Sequence, residues 1–260
     1  MAYTQITLDE LHDSKIFVNP KSSAFNYQHP TQYSASFLDI AERLNCDLTI
    51  RVESNAMNAN DDGSKNISYN SVLLRAKIPN MDLHLEGTMF NHMTSEIGFI
   101  LTLDGLAPEI KAYHGKRVSV CDNGCIFGAD DIKVVKLISD NHIGITSALN
   151  HYIDNIEKRN EQYFGKIEEM NNTFYSEKTN TLNQKIGEIV RYAMLQNKLG
   201  VQIATGMIKN ITDTKSNYRI QDDKISAWTM YNACTEEIKK ASIGSEAVKV
   251  QLLEGIKWVN

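Results

Sequence analysis

The sequence predicts an α+β fold, in which an antiparallel sheet of about six or seven strands, with a helix before it, precedes a long helical C-terminal half. Up to residue 143 the chain consists of short runs rich in β-branched residues with brief connections between them. Such connections join antiparallel neighbours, because a parallel crossover needs a dozen or more residues. From Ile145 onwards apolar residues recur at three- and four-residue steps, which is the spacing of helices that bury one face.

Length and composition indicate an ordinary globular protein. The chain has 260 residues, of which 42% are hydrophobic and 23% charged, enough for a sizeable core. We divide it into residues 1–143, a mainly antiparallel β region with an N-terminal arm and helix, and residues 144–260, a helical region that packs on it within one domain. The net charge of -5 argues against a strongly basic nucleic-acid-binding protein but is compatible with a local basic groove.

Three absences in the sequence predict a soluble cytoplasmic protein. The four cysteines are too few and too scattered for a disulfide scaffold. No apolar run approaches the length of a membrane helix. The N-terminus lacks the basic start and apolar core of a secretory signal. We therefore expect no contact with a membrane.

Two helices are predicted near the N-terminus. Thr7 and Glu10 have the spacing of a capping box, in which each side chain satisfies a free backbone amide at the start of a helix. The segment Tyr33–Asn45 carries apolar residues at helical spacing and is expected to bury one face. Between these helices, Asn19–Pro30 is polar and contains two prolines, so we expect an irregular arm.

The strands of the first half are predicted from alternation. Cys46–Glu53 alternates apolar and polar residues, which is typical of a strand with one polar face. Ser54–Asn66 is predicted to be a hairpin loop, because it lacks the regularly spaced oxygen ligands and terminal Glu of a calcium-binding EF-hand loop. Three further strands are predicted over Ile67–Ile78, Met81–Phe90 and Thr94–Leu103.

The segment Ala112–Ile138 is predicted to contain three strands and two turns. Arg117–Cys121 and Ile132–Ile138 are rich in Val and Ile, as strands are. Asp122-Asn123-Gly124 is a signal for a tight turn, and Gly124 is the residue expected at positive φ.

The helical half leaves one question open. Its apolar stripe shifts between Glu177 and Leu182, so either one long helix contains a slip or two helices meet there as a hairpin. Gly200 is expected to cap the end of this region. Residues 200–218 are interpreted as a loop with some helix, and Asp222–Ala241 as a helix.

Two short motifs carry a resemblance to known proteins. VCDNG, residues 120–124, and W-x-x-Y-N-A-x-T-E, residues 228–236, together resemble a family of phage and plasmid proteins known only as a domain of unknown function. The likeness covers roughly the last two thirds of the chain. Family members usually have Ser in place of Asp122 and a hydrophobic residue in place of Cys125. The resemblance implies a phage or plasmid setting and brings no established activity.

No metal site, cofactor site or catalytic motif is predicted. Cys121 and Cys125 lie near His114 and His142 in sequence, but zinc sites need four converging ligands and use tighter pairs of cysteines. Two small buried side chains beside a turn are the favoured interpretation. The motifs of phosphate-binding loops, dinucleotide-binding folds, zinc proteases and serine hydrolases are absent from the sequence. We expect a non-enzymatic protein without a cofactor, and an enzyme assembled from scattered residues is the alternative.

Basic residues in the β region could form a groove that follows phosphate groups. Lys116 and Arg117 are placed beside a turn in the HGKR segment, and acidic residues interspersed among the cations leave ordinary solvated sheet edges as the alternative. The candidate nucleic-acid-binding residues are Arg75, Lys77, Lys116, Arg117, Lys133 and Lys136.

Trp228, Tyr231 and Asn232 are the second candidate site. They lie close together on one predicted helix, where two interpretations are open. The rings could pack the helix onto the sheet while Asn232 bonds to nearby backbone, or all three could present a face that stacks on a base or binds a partner.

Taken together, these patterns predict a phage- or plasmid-encoded, non-enzymatic protein of DNA metabolism that binds single-stranded nucleic acid as a homo-oligomer. The alternative is a phage interaction protein that inhibits a host or defence enzyme, which suits the acidic net charge.

Overall fold

The computed structural model shows the α+β fold that the sequence predicts, with an antiparallel sheet and helices in the C-terminal half. It describes residues 4–13, 17, 28–53, 57–59, 65–67, 69–88, 90–103, 109–118, 126–127, 132–136, 143–196, 200–240, 249–250 and 252–259. The predicted turn at Asp122–Gly124, the two cysteines beside it and most of the predicted N-terminal arm lie outside these residues. No helix in the described ranges is long and apolar enough to cross a membrane.

The strands are β1 (Thr4–Ile6), β2 (Asp47–Glu53), β3 (Met57–Ala59), β4 (Lys65–Ile67), β5 (Ser71–Lys77), β6 (Leu83–His84), β7 (His92–Thr102), β8 (Glu109–Val118), β9 (Ile126–Phe127), β10 (Lys133–Lys136), β11 (Phe174–Ser176) and β12 (Lys224–Ser226). The helices are α1 (Leu8–Leu11), α2 (Pro30–Arg43), α3 (Ile143–Asp154), α4 (Ile156–Asn172), α5 (Thr181–Gln196), α6 (Val201–Thr212) and α7 (Ala227–Ile238).

The main sheet runs in the order β1-β2-β5-β7-β8-β10, with the two-residue strands β6 and β9 pairing with β7 and β8. All of its described pairs are antiparallel. The predicted strand Met81–Phe90 is much shorter than expected, since β6 is the only strand among the residues described there. The predicted loop after β2 contains the small hairpin β3–β4.

Alternation gives the main sheet two faces of different character. The helix-covered face carries Ile97, Phe99 and Leu101 of β7, all buried in one hydrophobic core with α2 and α3. The rings of Phe37 from α2 and Phe99 lie 5.8 Å apart, and the Tyr152 hydroxyl of α3 donates to the carbonyl oxygen of Ala112 at 3.2 Å. The opposite, polar face carries Arg75, Lys77, Glu96 and Arg117.

The helical half builds a second core that continues from one end of the sheet. Met93 of β7 and Val118 of β8 belong to this core. Its centre is Tyr231, which stacks on Trp228 at 5.5 Å between ring centroids and contacts Trp258 edge-on at 5.8 Å. The helices of the second half therefore pack directly on the sheet.

The region from Ile145 to Leu199 contains more than one helix. Helix α3 ends at Asp154 and α4 begins at Ile156, and β11 with a turn separates α4 from α5. Of the two alternatives for the shift near Glu177, the structure shows separate helices. The predicted capping box is present, because the Thr7 hydroxyl accepts from the amide of Glu10 and the Glu10 carboxylate accepts from the amide of Thr7.

One prediction for the C-terminal half is wrong, and two others are met only in part. Gly200 is the N-cap of α6, with extended backbone angles, and does not cap the end of α5. The following residues, predicted as a loop with some helix, contain α6 over Val201–Thr212, in which Ile203 and Met207 are buried. The predicted helix from Asp222 begins only at Ala227, because a turn and β12 come first and Ser226 caps the helix by accepting from the Thr229 amide at 3.1 Å.

Candidate functional site

The polar face of the sheet contains a cleft of about 280 Å³. Four neighbouring strands contribute to it through side chains that alternation places on the same face. The pairs Asp47–Lys77, Thr49–Arg75, Lys77–Glu96 and Thr94–Arg117 lie directly opposite each other across the strands. Gly115 is opposite Glu96 and contributes no side chain. The cleft is lined by Asp47, Thr49, Arg75, Lys77, Thr94, Glu96 and Arg117.

Glu96 lies between two guanidinium groups at the centre of the cleft. Its Oε1 is 3.5 Å from Nε of Arg75, and its Oε2 is 3.9 Å from Nη1 of Arg117. These distances exceed those of N–H···O hydrogen bonds, so the contacts are ion pairs between loosely apposed groups. The Glu96 residue is only 1% exposed.

Burial decides the protonation preference of Glu96. Loss of hydration raises the pKa of its carboxyl group above the ordinary value, while Arg75, Arg117 and Arg51 act in the opposite direction with smaller effect. Burial disfavours the charged form of an acid. Glu96 therefore takes up a proton more readily than an exposed glutamate does, and uptake of that proton would make the cleft more positive.

One side of the cleft continues into a polar rim. The Nζ of Lys77 is 3.3 Å from Asp82 Oδ2, and Nε2 of His92 is 3.2 Å from the same oxygen. The rings of His84 and His92 stack at 4.7 Å. Lys77 is thus held at the mouth of the cleft with its side chain partly exposed.

Beside the cleft the polar face becomes apolar. The ring of Tyr113 lies directly over Gly98, and a Cβ at Gly98 would overlap the ring carbons and the hydroxyl oxygen. Leu73 and Ile100 pack with Tyr113. The cleft is therefore bounded by a tightly packed cluster that requires glycine at position 98.

The structure brings together three of the six predicted nucleic-acid-binding residues. Arg75, Lys77 and Arg117 all line the cleft. Sequence reasoning missed its other members, Asp47, Thr49, Thr94 and Glu96. The signal that could have identified them is strand alternation, which places them on the same face as the three cations once the register is known.

Lys116 lies on the other side of the sheet. The HGKR segment is part of β8 and not a turn, so the prediction of a turn is wrong. Because neighbouring residues of a strand point to opposite faces, Lys116 enters the helix-covered face, where it is 0% exposed and its Nζ donates to the Met81 carbonyl oxygen at 3.1 Å. Burial lowers the pKa of its ammonium group to about 8. Lys116 cannot share a surface with Arg117.

Lys133 and Lys136 are on β10, distant from the cleft. Their backbones pair with Ala112 and Glu109 of β8. Arg117 lies five positions beyond Ala112 along that strand, which corresponds to roughly 17 Å. Lys133 is exposed, and only the backbone of Lys136 is described. The predicted groove therefore divides into a cleft of three cations and separate lysines.

Trp228, Tyr231 and Asn232 are buried in the second core. The Asn232 side chain donates to the carbonyl oxygen of Trp228 at 2.8 Å, and Thr235 donates to that of Asn232 at 2.9 Å. The Trp228 indole N–H faces the carbonyl oxygen of Phe90 at 3.5 Å. These three side chains pack α7 into the core, in agreement with the first of the two interpretations. They present no exposed face to a base or a partner.

A serine and a histidine meet on the helix-covered face, which raises the question of catalysis. Ser95 Oγ is 3.1 Å from Nε2 of His114 and donates to Oδ1 of Asn160 at 3.1 Å. Arg159 Nε donates to Nδ1 of His114 at 3.3 Å, so the ring proton must be on Nε2 and His114 donates to Ser95. Burial, with Arg159 and Lys116 adding to it, lowers the pKa of His114 to about 3. His114 is therefore not poised to accept the serine proton, as a nucleophilic serine would require.

Among the residues that the structure describes, no group of three or more His, Cys, Asp and Glu residues could hold a metal ion. Comparison with protein-family models, curated proteins and solved structures finds no match to this chain. Function is therefore inferred from the cleft and its charges, and the phage or plasmid setting stays a prediction.

Proposed function

We propose that this protein binds single-stranded nucleic acid by taking a backbone phosphate into the cleft on the polar face of the sheet. The observation that carries the proposal is the convergence of Arg75, Lys77 and Arg117 in one cleft of about 280 Å³. In keeping with the expected setting, the protein would act without catalysis in phage or plasmid DNA metabolism, as a homo-oligomer in the cytoplasm of the host cell.

The chemistry of the lining suits a phosphate group. Guanidinium groups present several N–H donors in a planar fork that matches phosphate oxygens, while Lys77 adds a point charge. Thr49 and Thr94 supply hydroxyl donors beside them. Protonation of Glu96, which burial favours, would leave Asp47 as the one acidic side chain among the lining residues. Such a cleft attracts an anion without a high positive charge on the whole protein.

The burial of the lining favours a flexible strand over a duplex. Arg75 and Glu96 are almost completely buried, so a phosphate must enter the sheet surface to reach them. An unpaired strand can turn one phosphate inward, whereas a duplex presents its phosphates along a stiff rod. Binding would therefore be to single strands and would weaken as salt rises, because phosphate binding releases counterions.

The salt dependence of binding tests this proposal. Fluorescence anisotropy of a labelled oligothymidylate would be measured over a series of salt concentrations for the wild type and for Lys77→Gln and Arg117→Gln. Each substitution is expected to weaken binding at low salt and to reduce the slope of log K against log salt by about 0.7 for each phosphate that the protein no longer neutralises. Both side chains are partly exposed, which limits the cost of substitution to folding.

The matched control is Lys133→Gln, which removes an exposed lysine outside the cleft. It should leave the slope unchanged. Equal effects of Lys133→Gln and Arg117→Gln would contradict a specific role for the cleft. Absence of binding to both single-stranded DNA and RNA at low salt would overturn the proposal.

A second function, inhibition of a host or defence enzyme by direct binding, is supported by a different surface. The end of α5 and the start of α6 expose three apolar side chains, Met194, Leu195 and Val201, with Leu195 74% exposed. Exposed apolar side chains close together are typical of protein contacts. If this function is correct, Leu195→Glu should abolish recovery of a host protein from infected cells while leaving oligothymidylate binding unchanged.

The same variant tests self-association by sedimentation, because an unchanged oligomer would exclude this surface as the contact between copies.

A further inference from the structure

A second pocket, of about 330 Å³, lies in the helical half of the protein. It forms where the hairpin of β11 and β12 meets the end of α4, the loop after β6 and the segment before β12. Its side chains differ from those of the cleft, because three neutral amides accompany its charged side chains, which are those of Arg219, Asp222 and Lys224. The residues that concern recognition are Asn171, Phe174, Asn217, Arg219, Gln221 and Lys224.

Phe174 gives this pocket an exposed aromatic ring. It is 54% exposed, although it begins a strand whose next residue, Tyr175, is buried. The Nζ of Lys224 lies 5.1 Å from the centroid of the Phe174 ring. Lys224 thus lies over one face of the ring, and an accessible aromatic ring is a surface on which unpaired bases stack.

A tight turn positions the polar side chains at the mouth of the pocket. Gln221 and Lys224 exchange two backbone hydrogen bonds, each 3.0 Å long. Asp222 and Asp223 between them have φ angles of 53° and 61°, which is the conformation of a type I′ turn. Lys178 contacts the Asp223 carboxylate at 3.0 Å. The turn thereby places Gln221 and Lys224 side by side, next to Phe174.

The floor of the pocket consists of buried, closely packed residues. Phe90 is 1% exposed and stacks on Tyr218 at 5.1 Å with nearly parallel rings. Ile225 and Ser226 are also buried, and the Asn171 amide donates to the Glu86 carbonyl oxygen at 3.4 Å. A preformed floor lowers the entropic cost of ordering a ligand.

We propose that this pocket takes one unpaired nucleobase of the strand whose phosphate enters the cleft. A volume of about 330 Å³ is at the small end of ligand pockets, which suits a base more than a larger cofactor. The base stacks on Phe174, and the amides of Asn217 and Gln221 offer both donors and acceptors to its edge. Arg219 and Lys224 provide positive charge for the adjoining phosphate. This inference rests on the proposed function and names the second contact with the same ligand.

The probe for this pocket is an oligothymidylate that carries one 2-aminopurine, a base whose fluorescence changes when it stacks. Fluorescence and anisotropy would be measured for the wild type, Phe174→Ala and Phe174→Trp. Phe174→Ala should weaken binding about fivefold or more at every salt concentration, without changing the salt slope, because stacking releases no counterions. Phe174→Trp should retain the affinity. The change in 2-aminopurine fluorescence on binding should disappear in Phe174→Ala alone.

Leu8→Ala is the control, because it removes another exposed apolar side chain from a helix outside the pocket, and it should bind as the wild type does. Circular dichroism and thermal unfolding of each variant establish that it is folded. Binding of the oligonucleotide that is unaffected by Phe174→Ala would overturn the base pocket and leave the proposed function standing. If the wild type binds no oligonucleotide at low salt, the proposed function and this inference are both overturned.

Discussion

Neutralising Glu96 should strengthen the binding of single-stranded nucleic acid. The carboxylate is paired with the same guanidinium groups that a phosphate would need, at 3.5 Å from Arg75 and 3.9 Å from Arg117. A bound phosphate must therefore share these groups with Glu96 and is repelled by its charge. Glu96→Gln keeps the shape of the side chain and removes the charge.

The size of the effect follows from these distances. A phosphate on the far side of either guanidinium group would lie about 7 Å from the carboxylate, and at an effective dielectric constant near 20 two unit charges at this separation repel by about 2.4 kcal/mol. Screening by moderate salt reduces this repulsion to about 1–2 kcal/mol. We therefore expect Glu96→Gln to lower the Kd for oligothymidylate by about fivefold to thirtyfold.

Fluorescence anisotropy at a pH well above the raised pKa of Glu96 would measure the difference at its largest, with Glu96 charged in the wild type. Burial raises the pKa of Glu96, so the wild type should gain affinity as the pH falls through that value, while Glu96→Gln should lack this gain. Glu53→Gln is the matched control. Glu53 is also buried on the polar face. It lies four residues along β2 from Thr49, which places it roughly 13 Å from this member of the cleft.

Either of two results would refute this prediction. Weaker binding by Glu96→Gln, in a variant that unfolds as the wild type does, would show that the carboxylate contributes to binding of the ligand. Equal gains for Glu96→Gln and Glu53→Gln would show that net charge, and not the cleft, controls binding.

Two further predictions concern the structure that supports the cleft. Gly98→Ala should destabilise the protein by about 1–3 kcal/mol in chemical denaturation, because its Cβ would overlap the buried Tyr113 ring and cores tolerate overpacking poorly. In a variant that also carries Tyr113→Ala, the substitution at Gly98 should no longer have this cost. His114 should remain neutral down to about pH 3 in an NMR titration, with its proton on Nε2. The folded-state pKa of His114 lies below its unfolded value of about 6.5. The stability that depends on neutral His114 should therefore be fully present above pH 6.5 and should decline as the pH falls from 6.5 towards 3. A folded-state titration near 6.5, or a proton on Nδ1, would contradict this arrangement.

Under the two proposals, the cleft and the base pocket would divide recognition into two kinds of contact. Arg75, Lys77 and Arg117 would respond to salt, since they exchange counterions for a phosphate. Phe174 would contribute equally at all salt concentrations. Measuring both kinds of variant on the same oligonucleotide separates a local defect in recognition from general unfolding, which would remove both contributions together.

Much of the local structure could be predicted from the sequence. The capping box at Thr7 and Glu10, the buried face of α2 and the alternation of β2 are present as expected. Each depends on residues close in sequence, through helical spacing, a strand period of two or a side chain that reaches a nearby amide. The α+β class follows from the same signals, because a set of strand-like segments precedes a long stretch in which apolar residues recur at helical spacing.

Only the tertiary structure decided which of these residues meet. Lys116 and Arg117 are adjacent in sequence, yet one is buried beneath helices and the other lines the cleft. Trp228 is an aromatic residue of the kind that stacks on bases, but it lies in the core. Phe174, with no motif around it, is exposed beside a pocket. Faces and pockets depend on strand register and on helices packed from far along the chain. Local spacing does not specify those contacts, since the same alternation allows either face of a strand to be covered.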